Sequence, residues 1–195
     1  MSDFSAVRAA TETLKTLLQT FITNSTEPQL TGIPIDLRSP KEMRKASSSG
    51  VSLWLYRIAR DPDLLNRPAA RPSPNIQTQP GLPIHLFYLV TPMLAVTEDN
   101  QTVLGRVLQV FNDYSTIQGA DLQGTLAQDN QALHVTLEAL SHDEIARIWM
   151  ALEEHYDLSV TYAVQVVTID SDKEPLEGST VLHKRIHYAQ ILSEV

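Results

Sequence analysis

Two stretches of this chain are apolar on both of their alternating faces, and a strand of that kind must be covered from both sides. Val51 to Ala59 turns Val51, Leu53 and Leu55 one way and Trp54, Tyr56 and Ile58 the other. Leu82 to Val90 has the same character. Strand side chains alternate with a period of two, so each strand predicts a central place in a sheet with packing on either face.

The covering elements are legible by period. Leu14, Leu17, Leu18 and Phe21 fall on one stripe and predict a helix over about residues 3–23. Leu104, Val107, Leu108 and Phe111 predict another over about 99–114. Ser141 followed by Glu144 is a capping box, opening a third helix that buries Ile145, Ile148, Trp149 and Leu152. Short strands are expected at Ile33–Leu37 and around Leu133, Val135 and Leu137, and a longer one from Leu158 to about Ile169. Together these predict an α/β (α+β) fold, a mixed and mostly antiparallel sheet with about three helices packed on it. A chain of 195 residues suits one domain, 1–195. Within it, 1–24 form an N-terminal helix, 60–81 a proline-rich loop or arm, and 170–195 a C-terminal tail. Six of the eleven prolines lie between Pro62 and Pro83, which fits an extended segment rather than a helix. Residues 38–50 are basic and end in Ser47-Ser48-Ser49-Gly50, which predicts a flexible loop, and residues 115–130 read as a second loop.

Charge is unevenly placed. Residues 36–71 hold eight basic residues (Arg38, Lys41, Arg44, Lys45, Arg57, Arg60, Arg67 and Arg71) against four acids, a net of +4. Residues 97–177 hold fifteen acids against three basic residues, a net of −12. The two stretches are either solvated faces or complementary surfaces for assembly. The overall charge of −8 argues against a general nucleic-acid binder. No apolar run is long enough to cross a bilayer, and the first ten residues lack the apolar core of a leader, so synthesis in the cytoplasm is expected. The absence of cysteine removes disulfides, thiolate metal sites and cysteine nucleophiles.

Tests for chemistry return little. Gly119 and Gly124 have the spacing that opens a P-loop, but Thr125 and Leu126 stand where Lys and Ser or Thr are needed to meet phosphate. His183 and His187 lie four apart, beside Arg185 and with no third ligand in view, so exposed polar residues of a terminal arm compete with a metal pair. His142 stands beside Asp143 and Glu144, where the first turn of a capped helix explains the acids through the helix dipole. Ser47, Ser48 and Ser49 lack the turn that exposes a serine nucleophile. Trp54 and Trp149 both fall in apolar stripes and read as core. No enzyme, cofactor or metal is expected.

Five ordered blocks carry a resemblance. They are Leu37-Arg38-Ser39-Pro40-Lys41-Glu42-Met43-Arg44, Val51 through Ile58, Leu82 through Pro92, Leu104 through Phe111, and Ile148-Trp149 followed by Leu158-Ser159-Val160-Thr161-Tyr162. Together they resemble the tail-terminator, or cap, proteins of extracellular contractile injection systems, over roughly residues 5–170. The resemblance implies a homohexameric ring that stops the growth of sheath and inner tube, with those proteins and its own copies as partners. It also implies a place in a phage-tail-like particle, released or kept within the cell. The cationic residues of 36–71 are the expected contact surface. An accessory binding module or assembly chaperone for a tail component is the alternative.

Overall fold

The computed structural model describes residues 3–64, 76–128 and 132–177. A six-stranded sheet forms its centre: β1 (Ile35–Asp36), β2 (Gly50–Arg60), β4 (Leu82–Met93), β5 (Thr116–Gln118), β6 (Ala132–Leu137) and β7 (Val160–Ile169). The spatial order is β1-β2-β4-β7-β6-β5. Only the β1–β2 pairing is parallel, so the sheet is mixed and mostly antiparallel. A separate ribbon pairs β3 (Ile76–Gln77) with β8 (Leu176–Glu177).

Helix α1 (Ala6–Leu18) continues as a π-helical turn through Gln19–Thr23, as its apolar stripe predicts. It packs with α3 (Thr97–Asp113) on one face of the sheet. There Leu14, Leu18, Val107 and Phe111 meet Leu53, Leu86, Tyr88, Val90 and Val164 in the main core. Helix α4 (His142–Leu152) covers part of the other face, where Trp149 and Leu152 close over Leu89, with Trp54 and Tyr56 packed alongside. Ser141 caps α4 as expected, its hydroxyl and Glu144 exchanging bonds across the first turn. Both apolar strands are therefore covered on two sides, as their composition requires.

Three local expectations need correction. The loop expected at 38–50 contains α2 (Pro40–Lys45), opened by a second capping box, Ser39 with Glu42, and by proline at its first turn. Among the described residues this adds a fourth helix to the roughly three expected on the sheet. The pattern that puts Ile58 beside Trp54 fails at a β-bulge between Leu55 and Arg57. An extra residue there flips the alternation, so Ile58 pairs with Leu86 on the α1–α3 face and is half exposed. The loop expected at 115–130 supplies edge strand β5 and two 3₁₀ turns opened by Gly119 and Gly124. Gly50 has a structural duty: at φ +145°, a Cβ there would lie 2.5 Å from the Pro34 carbonyl oxygen. That is the price of bringing β1 alongside β2. The possible strand or arm at 180–192, with His183, Arg185 and His187, lies outside the described residues.

Candidate assembly surface

The basic residues singled out in the sequence do not form one free patch. Arg38 folds back on Asp36, its Nε 3.0 Å from both carboxylate oxygens, and its Nη2 also reaches the Ser48 hydroxyl at 3.0 Å. The hydrogen bond from Arg38 holds the Asp36 carboxyl below its usual range. Helix α2 then aims two cations at the C-terminal end of α4. Lys41 Nζ lies 2.6 Å from Glu153. Arg44 lies 3.2 Å from Glu154 and also bonds Asp157. Three acids of the strongly negative stretch thus meet two cations of the positive stretch inside one molecule. Arg57 lies over the Phe87 ring at 4.6 Å. Lys45 and Arg60 are exposed and make no ion pair with a described residue. Arg67 and Arg71 lie outside the described residues.

The clamp between α2 and α4 has a strained member. Glu153 is the C-cap of α4 with φ 55°, a left-handed conformation that glycine or asparagine adopts more readily. Its hydrogen bond from Lys41 lowers its pKa. Beside the clamp, Arg44, Asp157 and Leu158 help to line a cleft of about 410 Å³ with Pro92, Met93 and Leu94. Its walls come from the α2–β2 turn, the β4–α3 turn and the irregular segment leading into β7.

One histidine–carboxylate pair was missed in the sequence. His85 Nε2 on β4 lies 2.9 Å from Asp61 Oδ2, just beyond β2. Burial raises the Asp61 pKa. The hydrogen bonds from His85 and from the Asp63 and Leu64 backbone N–H groups outweigh it, so the carboxyl sits below its usual value. The Asp61 N–H donates to the Pro83 carbonyl oxygen. All four contacts fix the point where the chain leaves β2 for the proline-rich segment, a structural lock. A histidine far from any acid in sequence gives no warning of such a pair. Among the described residues, no three His, Asp or Glu side chains converge as a metal site would require. No described helix is long and apolar enough to cross a membrane. His142 lies exposed in the first turn of α4, and Trp149 is buried with its indole N–H donating to the Ser159 hydroxyl.

Residues 9–183 match the family model described as the Pvc16 N-terminal domain. The chain belongs to that family. Two solved structures share the fold. The sheath/tube terminator of an extracellular contractile injection system, PVC, in its extended state, aligns over 96% of this chain and 65% of its own. The TM-score there is 0.63 and the identity 20%. The tube-terminating cap of the anti-feeding prophage aligns over 92% of this chain and 60% of its own, with TM-score 0.59 and 18% identity. This member of the Pvc16 N-terminal domain family thus spans less than two thirds of either structure. No curated protein sequence matches it. The α/β fold with a mostly antiparallel sheet, and its likeness to tail terminators, are as the resemblance implies.

Proposed function

We propose that this chain caps the sheath and inner tube of a contractile injection particle as a homohexameric ring and does so without catalysis. The carrying observation is the shared fold over 96% of the chain with a sheath/tube terminator, joined to membership of the Pvc16 N-terminal domain family. The six-fold number rests on the resemblance alone. Lys45 and Arg60, exposed and unpaired by described residues, are the cations assigned to sheath or tube, with Arg57, Arg67 and Arg71 beside them in sequence. Arg38, Lys41 and Arg44 join that surface only by giving up partners they already hold. Synthesis is cytoplasmic, and the protein ends as a component of the particle.

The test is deletion of the gene in the producing cell, with particle lengths measured by electron microscopy. A capping role gives overlong or unstable tubes and sheaths, restored by the intact chain. Particles of normal length and stability would overturn it. Restoration by a chain that is absent from the finished particles would favour the assembly-chaperone reading.

A further inference from the structure

Among the large apolar side chains exposed on the described surface, Phe4 stands out at 87% exposure, just ahead of α1. An aromatic ring held in water forgoes a large burial gain, and an exposed one on a rigid element is a common anchor. The turn that carries Phe4 is tied to the helix start: Asp3 accepts bonds from the Ser5 N–H and hydroxyl, and the Asp3 carbonyl accepts from Ala6.

A matching hollow lies elsewhere. Between α3 and the β6–β7 end of the sheet is a cleft of about 540 Å³, lined by Leu108, Phe111, Val135, Leu137 and Tyr162 and edged by Asn112. Its size is that of a pocket for a large side chain with flanking backbone. Leu137 is 52% exposed at its mouth. Tyr162, only 3% exposed, forms part of the cleft wall. Desolvation pushes the pKa of its hydroxyl up to about 12, so the phenol stays protonated and able to donate a hydrogen bond.

The two features cannot meet in one molecule. Phe21, near the far end of the α1 rod, meets the Tyr114 ring at a tilt with centroids 5.0 Å apart, and Ser115 next to Tyr114 belongs to the cleft. Phe4 is at the opposite end of that rod, roughly 25 Å away at a rise of about 1.5 Å per residue. A knob and a socket on separate surfaces of the same chain make a head-to-tail contact, the kind that closes into a ring. Charge fits as well. Arg8, one helical turn beyond Phe4, is exposed and makes no ion pair with a described residue. Asp113, exposed beside Asn112 at the end of α3, offers it a carboxylate that makes no ion pair with a described residue.

We infer that the cleft between α3 and the β6–β7 end receives Phe4 of a second copy of this chain, and that this contact is the seam of the ring. The inference rests on the ring reading above. In the seam, a backbone carbonyl of the incoming segment supplies the acceptor for Tyr162, and Arg8 faces Asp113 of the next copy.

The chain has no cysteine, so paired cysteines report the contact without background. The variant carrying Arg8→Cys and Asp113→Cys, which keeps Phe4, is treated with a short bis-maleimide, free and bound to particles, alongside each single variant. The seam predicts a ladder of covalent oligomers from the double variant and none beyond dimers from the single ones. Phe4→Ala should weaken association by on the order of tenfold to a hundredfold, the effect of removing one buried aromatic anchor. Arg8→Glu should weaken it too, with rescue by Asp113→Arg. Oligomers that form normally but give no ladder, with Phe4→Ala neutral, overturn the seam and leave the ring standing. A chain that stays monomeric even on capped particles overturns the ring, and the seam with it.

Discussion

Met43 and Lys41 stand two positions apart in α2 and hold that helix by different means. Met43 is fully buried, while Lys41 and its partner Glu153 are exposed at 44% and 80%. Burial of a large apolar side chain is worth several times an exposed ion pair. Met43→Ala is therefore expected to destabilise the fold by about 2–4 kcal/mol. Lys41→Ala should cost no more than about 0.5 kcal/mol, and less at high salt. Denaturant titration of both variants at two salt concentrations checks this, and a large Lys41 effect would make the clamp the real fastening of α2. Asp61 sets a second expectation. Its folded pKa is depressed, so the unfolded chain takes up the proton more readily. The stability it contributes is complete above its ordinary value of 3.8 and is lost as pH falls through the lower folded value. Asp61→Asn keeps an acceptor for the Asp63 and Leu64 N–H groups and removes the ionisation. It should flatten the acid limb of a stability–pH profile while leaving the shape at neutral pH unchanged. An acid limb identical to the parent would show that other carboxylates set it.

The outer layer of the sheet depends on α4, and α4 depends on Trp149. Trp149 is 2% exposed, packs on Leu89 and Leu152, and meets Tyr156 edge-on at 5.9 Å. Trp149→Ala is expected to cost about 3–5 kcal/mol. Near-ultraviolet circular dichroism should lose the share of the tryptophan signal that Trp149 contributes, leaving that of Trp54, while the far-ultraviolet sheet signal survives because the α1–α3 core is separate. Loss of both signals together would mean that the two layers fold as one unit. Elements of this size were the legible part of the sequence. Helices α1, α3 and α4 each carry an apolar stripe several turns long, and the central strands advertise two apolar faces. Helix α2 was missed although Ser39 and Glu42 repeat the capping box that marked α4. A six-residue helix has too few turns to show a stripe, and the serine tract after it outweighed the cap. The bulge at Tyr56 was hidden for another reason. Alternation in a sequence reports a period and carries no record of an inserted residue that shifts its phase. The clamp was hidden because a charged stretch reveals its sign and not its partner, so Lys41 and Arg44 looked free until α4 was placed beside them.

At the scale of the whole molecule, the charges spent inside the chain change what assembly can run on. Two cations of the positive stretch are met by three acids of the negative one, and each copy still carries a net charge of −8. Copies brought together in a ring therefore repel one another over distances that salt screens, with a Debye length of about 10 Å at 0.1 M. A seam built on Phe4 in an apolar cleft is indifferent to screening, apart from the exposed Arg8–Asp113 pair, which is worth little. The proposed attachment of the ring to sheath or tube through Lys45 and Arg60 behaves in the opposite way, because screening removes attraction between unlike surfaces. The two contacts are thus separable by salt. Raising sodium chloride from about 0.05 to 0.5 M is expected to leave ring formation unchanged or modestly strengthened in sedimentation velocity. The same change should loosen binding of the assembled protein to purified tubes, by an amount that Lys45→Glu with Arg60→Glu largely removes. A ring that dissociates as salt rises would place the cations in the seam and Phe4 outside it.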